Sequence, residues 1–547
     1  QIIKRPCCKL AYQNKTFKSG ISYDMIVLVL ISATVVALSI LYFIANRKLN
    51  YWEKRGVPFE KPVPIFGNFA GYILLKAYWG KSAQKLCKKF QKEPYFGVYY
   101  GTEPALVVQD PELIKLITTK DFYYFSSREV SNYTHLETFT QNLFFTQGNR
   151  WKVLRQNLTP LFSSSKMKHM FHLVETCSKK FETLLDEETK KSPDLDVRAT
   201  SVRFAMDSIT SCAFGVNSNV MGKDSDNNPF KVMGDLLFEL TNYRGFKIVA
   251  RAIWPYVFYG LGFKTFPEEL DKFFNKLLSD VFKDRNYKPS ARNDFVDLML
   301  NLKENKFLSG DSMSNVKSES EKKERINLEV TDELLIAQCI VFFAAGFETS
   351  ASVMCFTLYE LAKNPEKQPR LFEEVDAYLK KSGGKVTYDC LTELPYLEAC
   401  VNEAMRLYPV LGVLAREVVE PYTLPSGLVL EKGMRVHLPV YHLHHNEDLF
   451  PEPEKYRPER FMGEEKKNIV PYSYMPFGEG PRICIGMRFA RMQMMAGMVT
   501  LLKKYSLSLA PGMPREVDFE PRTFITQAKD PIRLTLTPRP GTERMFA

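Results

Sequence analysis

The chain has 547 residues, 45% of them hydrophobic, and its 74 Lys and Arg against 63 Asp and Glu give a formal charge of +11 and a pI near 8.9. Such a chain can bury a large core, and a mild basic excess without a clustered stripe or a recognisable motif excludes nucleic-acid binding while suiting anionic lipid headgroups or an acidic partner protein. Ten cysteines without regular spacing exclude a disulfide framework and a structural zinc site, leaving a reduced, cytosol-facing set with one vicinal pair, Cys7-Cys8, outside the folded part.

Residues 1–24 begin with Gln, are basic and carry no pattern; the expectation is that Met25 is the initiator and that this stretch is a non-native extension. From Met25 to Ala45 the sequence MIVLVLISATVVALSILYFIA is uncharged, and as a helix it covers about 31 Å, the hydrocarbon thickness of a bilayer. This predicts one transmembrane helix. A cleaved signal peptide would be shorter and end at a small-residue site, whereas Asn46, Arg47 and Lys48 follow directly. Arg47, Lys48, Lys54, Arg55 and Lys61 downstream outweigh Lys9, Lys15 and Lys18 upstream, which puts the bulk of the chain on the cytosolic side. Residues 46–68 then read as a basic, proline-rich linker, because Pro58, Pro62 and Pro64 forbid helix.

Residues 69–547 read as one large, mainly α domain with minor β-sheets. YFGVYY and ALVVQ flank Gly101-Thr102-Glu103-Pro104 and predict a hairpin. From Asp110 to Lys380 helical periodicity dominates, with DELLIAQCIVFFAAGFETSASVMCFTLYELAKN the longest run. Ser309–Arg325, SGDSMSNVKSESEKKER, has almost no apolar residues and reads as a mobile loop. Strand-like pieces return at GLVLEKGMRVHLP and PIRLTLTP. The HLHH run from His442 to His445 reads as a connector, with no metal assigned to it.

Pro476 to Gly486 read PFGEGPRICIG. Gly478, Gly480 and Gly486 allow positive φ and close approach to a flat ligand, Pro481 stiffens the loop, and Arg482 adds a fixed charge. The helix pattern MRFARMQMMAGMVTLLKKYSL follows, so Cys484 sits near a helix N-terminus, where thiolate is favoured over thiol. No histidine is flagged as a protease partner and no further zinc ligands lie nearby; a lone thiolate under a planar metal centre fits best.

Phe477, Gly480, Arg482, Cys484 and Gly486 fill F-x-x-G-x-R-x-C-x-G, and the chain thereby resembles the cytochrome P450 family of haem-thiolate monooxygenases, in particular insect microsomal members that act on xenobiotics and the related vertebrate drug-oxidising group. Three further motifs stand in family order and extend the resemblance over residues 55–540. Glu403 and Arg406, in EAMR, share a helix face and with Arg460 of the PERF segment resemble the family's buried structural ion pair. Glu348 and Thr349, in AAGFETS, resemble the acid–alcohol pair that relays protons to bound oxygen; Ala345 and Gly346 let the backbone approach the haem face, and Thr349 can bond back to the Ala345 carbonyl. Trp151 and Arg155, in WKVLR, resemble a haem-propionate clamp that Arg416 and Arg482 complete.

The resemblance implies the cytochrome P450 fold behind a single transmembrane helix, in the endoplasmic reticulum membrane with the catalytic domain on the cytosolic face. It implies haem b, with Cys484 as metal ligand and Phe477, Gly486, Trp151, Arg155, Arg416 and Arg482 around it. Electrons come from NADPH through a separate NADPH–cytochrome P450 reductase, with cytochrome b5 as a further carrier, since no G-x-G-x-x-G follows a strand and no flavin domain is present. Arg150, Lys152, Lys466, Lys467, Arg488 and Arg491 are candidates for the basic patch that receives it. The implied substrates are lipophilic small molecules: xenobiotics, plant toxins, insecticides or endogenous lipids. Their pocket is expected from Phe343, Ala344 and Ala345, from Val410, Leu411 and Leu414, and from Phe524 and Ile525, with Phe122–Phe125, Phe144 and Phe145 as a roof or as ordinary core. Two other classes share the cysteine, reductase-independent lipid isomerases or dehydratases and non-catalytic haem-binding proteins; the intact Glu348-Thr349 pair argues against both.

Overall fold

The computed structural model describes residues 23–128, 131–317 and 323–540, so the expected N-terminal extension up to residue 22, Cys7 and Cys8 included, lies outside the described residues. Helices carry most of the chain, among them α1 (Tyr23–Lys48), α2 (Gly148–Leu158), α3 (Ser164–Lys191), α4 (Val197–Ala213), α5 (Asn242–Ile253), α6 (Pro255–Gly260), α7 (Glu268–Asp284), α8 (Asp332–Lys363), α9 (Pro395–Leu407) and α10 (Met487–Lys504), with further helices, Gln368–Lys381 the longest of them, and single turns between them. The strands are short: β1 (Tyr95–Tyr100), β2 (Glu103–Val108), β3 (Asp194–Asp196), β4 (Phe307–Asp311), β5 (Arg325–Glu329), β6 (Leu414–Glu417), β7 (Tyr422–Thr423), β8 (Val429–Leu430), β9 (Arg435–Leu438), β10 (Tyr505–Leu509) and β11 (Arg533–Pro538).

The domain is organised around α8. Its residues are apolar on nearly every face, which suits a helix enclosed on all sides, and Thr331 caps its start by accepting from Leu334 N at 3.2 Å. By length and composition α8 could cross a membrane, yet 78% of its apolar stretch is buried against α4, α7, α9 and α10. The other strongly apolar helix, α1, is the opposite case: its described large side chains are exposed, Leu28 at 67% and Phe43 at 73%.

The expected hairpin is present, β1 and β2 pairing antiparallel from Tyr95 with Val108 to Tyr100 with Glu103. β2 runs parallel to β9 and β9 antiparallel to β6, giving the sheet order β1-β2-β9-β6, while β10-β11-β3 form a second sheet. The stretch expected as a linker is packed onto the first sheet. Trp52 is fully buried and its Nε1 donates to Val98 O at 2.9 Å, Gly97 N donates to Pro58 O at 2.8 Å, and Asn68 N donates to Tyr99 O at 2.8 Å. A proline-rich segment cannot be helix, but its carbonyls still accept, so it docks along an edge strand. Gly97 is part of that fit: a Cβ there would lie 2.4 Å from the Trp52 ring.

Ser309–Arg325 also differs from its expectation as a mobile loop. Its ends are β4 and β5, paired antiparallel from Phe307 with Glu329 to Asp311 with Arg325, and residues 318–322 lie outside the described residues. The pair is pinned to α2: Gln156 donates to Asp311 Oδ2 at 2.8 Å and accepts from Asp311 N at 2.7 Å, and Asn149 Oδ1 accepts from Met313 N at 2.7 Å. Order comes from polar bonds to a neighbouring helix, which a count of apolar residues does not register.

His442, His444 and His445 belong to a short helix, Val440–His444, and its cap, all buried. His444 Nε2 accepts from Met475 N at 3.0 Å. Burial, reinforced by Lys88, lowers His442 to about 4; burial, reinforced by Arg406, lowers His445 to about 3; and burial, with His445 and Arg406, takes His444 well below 6.5. All three stay neutral when folded, whereas the unfolded chain takes up their protons below pH 6.5. Stability is therefore present above that pH and lost as pH falls toward 4. Each histidine contributes about 1.4 kcal/mol per pH unit, so denaturant unfolding at pH 5.5 is expected to show roughly 4 kcal/mol less stability than at pH 7.5. Substituting His442 and His445 with Asn should remove most of that difference; an unchanged pH slope in the double variant contradicts the assignment.

Candidate active site

The loop before α10 is shaped by two glycines rather than three. Gly478 and Gly480 have φ of 73° and 72°, and a Cβ on Gly480 would lie 1.8 Å from Thr118 O. Gly486 has φ of −83° and serves as the N-cap of α10; its small size keeps the space beside Cys484 clear, a Cβ there lying 4.0 Å from Sγ. Cys484 N donates to Phe477 O at 2.9 Å. Seven other described cysteines are buried; Cys484 is accessible. Burial of the surroundings pushes its thiol above the usual value, and the Gly486 N–H, Arg155 and Arg128 pull it down without overcoming that. The helix terminus expected to favour thiolate does not by itself lower this thiol, and a metal cation on the sulfur would stabilise the anion.

Around this sulfur the structure gathers guanidiniums. Trp151 is buried with the Arg482 Cζ 4.3 Å from its ring centroid, and Arg155 on the same helix donates Nη1 to Ile483 O at 2.8 Å. Arg482 donates Nε to Ser126 O at 3.0 Å and Nη2 to Thr146 O at 2.8 Å, and Arg416, on β6, donates Nη1 to Ala415 O at 3.0 Å. Arg128 joins them, donating to Phe144 O at 3.1 Å. Sequence reasoning missed Arg128, which sits in an irregular FSSR stretch with no motif spacing; it is defined by what folds against it. Burial and then Arg416 lower Arg128 to about 9, burial lowers Arg416 to about 10, burial and then Arg128 take Arg482 down further, and burial lowers Arg155. Arg155, Arg416 and Arg482 make no ion pair among the described residues, and Arg416 Nε and Arg482 Nη1 are buried without any partner. Mutually repelling buried cations with unused donors are unfavourable alone and favourable around an anion. A flat ligand with two carboxylates and a metal that accepts a soft sulfur donor fits this donor set.

One face of α8 opens beside a helix that is otherwise buried. Ala345 is exposed and Ala344 and Thr349 are half-buried, and Thr349 Oγ1 donates to Ala345 O at 2.6 Å. Three expectations are corrected here. Gly346 serves packing, since a Cβ there would lie 2.7 Å from Ile209 of α4. Glu348 does not pair with Thr349: successive helix positions diverge by about 100°, and Glu348 is buried, ion-paired with Arg198 of α4 and accepting from Gln527 Nε2 at 2.7 Å. Phe343 is fully buried among Phe214, Phe274 and Phe347, so it is core and not pocket wall. Of the other wall candidates, Val410, Leu411 and Leu414 are half-buried and Phe524 is 38% exposed, whereas Ile525 is 2% exposed and faces inward. Leu414 reaches the cysteine loop, its Cδ1 lying 3.7 Å from a Cβ placed on Gly478. Phe122 and Phe125 are core, Phe122 against Trp151.

Behind the cysteine loop Glu403, Arg406 and Arg460 meet in full burial. Arg406 donates Nε to Glu403 Oε2 and Nη2 to Glu403 Oε1, both at 2.8 Å, and Nη1 to His444 O at 2.7 Å. Arg460 Nε approaches Glu403 Oε1 at 3.3 Å, and Arg457 N donates to the same oxygen at 2.9 Å. The carboxylate thus ties α9 to the PERF turn, Pro458–Phe461.

An accessible thiol beside four arginines, Arg416 and Arg482 buried and Arg128 and Arg155 half-buried, on a mainly helical domain crossed by one long helix, suits a planar, dianionic metal cofactor held through sulfur. The chain belongs to the cytochrome P450 family, whose model, Cytochrome P450, matches residues 57–536. It is 36% identical to cytochrome P450 6B2 of Helicoverpa armigera over 500 residues, 91% of this chain and 96% of that protein. It is also 35% identical to cytochrome P450 6k1 of Blattella germanica, covering 92% and 96%, and 32% identical to cytochrome P450 6a2 of Drosophila melanogaster, covering 91% and 97%. It is a haem monooxygenase, and its cofactor is iron protoporphyrin IX.

Proposed function

We propose that the chain is a membrane-anchored monooxygenase that inserts one oxygen atom of O2 into lipophilic small molecules, xenobiotic or endogenous, with electrons from NADPH through a separate reductase. The observation that carries this reading is a cluster of four arginines, two of which, Arg416 and Arg482, are buried with a donor nitrogen unused, around one accessible cysteine. Cys484 would ligate the iron, and Arg128, Arg155, Arg416 and Arg482 would bind the two propionates, with Trp151 under Arg482, the Phe477 carbonyl accepting from Cys484 N and Gly486 capping α10 beside the sulfur. When bound, the haem supplies oxygen activation, favoured by electron donation from sulfur. Thr349, whose hydroxyl donates to the Ala345 carbonyl, presents its oxygen as an acceptor at the open face of α8, and Glu348 acts as a brace that fixes α8 to α4 and to the Gln527 segment. Ala345, Leu414 and Phe524 would contact substrate. α1, uncharged over Met25–Ala45 and exposed from Met25 to Ile40, would be the anchor in the endoplasmic reticulum membrane with the domain in the cytosol. Lys466 and Arg488 are exposed candidates for reductase or cytochrome b5 docking, while Lys467 and Arg491 are already paired with Glu464 and Glu398.

The test is reconstitution of the full chain in microsomes with the reductase. NADPH should be consumed in step with oxidation of a lipophilic alkyl aryl ether, and the chain should resist carbonate washing where one beginning at Tyr51 is released. Haem-loaded protein that leaves NADPH untouched, or a full chain freed by the wash, contradicts the corresponding half of the proposal.

A further inference from the structure

Glu137 is a buried carboxylate, 5% exposed, that belongs to none of the groups above. Residues 131–146 run between the arginine cluster and α8: Thr146 O accepts from Arg482, Phe144 O accepts from Arg128, and Leu143 N donates to Gln338 Oε1 of α8 at 2.9 Å. Gln338 lies seven residues, two turns, before Ala345, so this segment walls one side of the opening on α8. Its outer bend consists of two short turns, Ser131–Leu136 and Thr138–Thr140, with Glu137 between them.

Glu137 joins that bend to α6 and the connection to α7. Oε1 accepts from Tyr259 Oη and from Thr265 Oγ1, each at 2.7 Å; Oε2 accepts from Thr265 N at 2.9 Å and Phe266 N at 3.1 Å. Arg251 of α5 donates to Tyr259 Oη at 2.6 Å and lies 4.0 Å from Glu137 Oε1. Rings close the same joint, Tyr133 stacking on Tyr259 at 5.2 Å and Phe139 on Phe266 at 4.1 Å. Arg244 and Arg251 are buried at 5% and 7% exposure, and Arg244 Nε and Nη1 and Arg251 Nη2 have no partner. The joint therefore combines weakly directional apolar stacking with one anion that serves two backbone N–H groups, two hydroxyls and a nearby guanidinium. Without that anion the rings still attract, but buried donors and cations lose their acceptor, and exposure to water becomes the favourable state.

We propose that Glu137 is a positioning residue that latches residues 131–146 to the α6–α7 connection and so sets how readily a bulky molecule enters and leaves the haem cleft. The latch presupposes the haem cleft, and recording the carbon monoxide difference band of each variant keeps failure of the one apart from failure of the other. In the holoenzyme, Glu137→Gln keeps the shape, removes the charge and turns an amide N–H toward the donors. Stopped-flow binding of 4-phenylimidazole at the Soret band should show entry and exit both accelerated by about tenfold or more, with unsubstituted imidazole changed less than about twofold and the carbon monoxide band retained. Tyr259→Phe, which deletes one of the four bonds, should give a smaller change in the same direction, and it carries the test if the Gln variant does not fold. Phenylimidazole rates within about twofold of the parent in both variants overturn the proposal, as do equal accelerations of the small and the bulky ligand accompanied by haem loss.

Discussion

Replacing Cys484 with His is expected to leave a pigmented protein that has lost both the long-wavelength carbon monoxide band and turnover, the latter by at least about 10³-fold. The reason lies in how the site is divided. On the proposed assignment, haem retention draws on Arg128, Arg155, Arg416 and Arg482 and on the Trp151 ring, whose hydrogen bonds and ring contact go to groups other than the Cys484 side chain. The chemistry draws on the sulfur, and no other described cysteine can replace it, because Cys87, Cys177, Cys212, Cys339, Cys355, Cys390 and Cys400 are buried and burial raises each thiol. Nitrogen ligation therefore separates cofactor binding from function in one variant. The measurement is the spectrum of the reduced, carbon monoxide-treated protein together with NADPH-dependent product formation. A variant with the parent's band position means that the sulfur of another residue ligates the iron.

The second large effect is expected at Glu403. Glu403→Gln keeps volume and one acceptor but leaves Arg406, fully buried, and Arg460, nearly so, without their counter-charge. Breaking a buried pair from one side costs about 3–5 kcal/mol, a large share of the roughly 5–15 kcal/mol by which domains are stable. Arg406→Lys should fail similarly, because a compact ammonium lacks the planar fork whose three separate nitrogens reach the two Glu403 oxygens and His444 O. Denaturant unfolding and the haem-to-protein ratio read both variants; a loss below about 1 kcal/mol with full haem content would show that the triad is dispensable. Because the pair sits behind the cysteine loop rather than at the open face of α8, residual activity per bound haem should stay near that of the parent.

The contrast between these residues and Arg128 shows what kind of information each position carries. Cys484, Gly480 and Arg482 lie within one short loop, so their spacing along the chain is close to their spacing in space. Glu403 and Arg406 are one helical turn apart, and the turn itself brings them together. Arg128 is brought to Arg416 and Arg482 by a fold that joins segments some 300 residues apart, and no local pattern anticipates it. The hairpin at Gly101 and the long helix α8 were legible for the same reason as the cysteine loop, since turn chemistry and periodicity act over a few residues. The packing of residues 46–68 and of the ends of Ser309–Arg325 was not legible, because it comes from bonds to β1 and to α2.

Sequence by itself determined the cysteine loop, the buried charge pair, the long apolar helix and the uncharged stretch at Met25–Ala45, because each is written in residues that are neighbours along the chain or along one helix. The tertiary structure alone decided the fourth arginine, the turning of Glu348 toward Arg198 and Gln527, the burial of Phe343 and the joint at Glu137. Those features depend on which distant surfaces meet: a side chain's partner is set by packing between elements, and packing is a property of the whole chain.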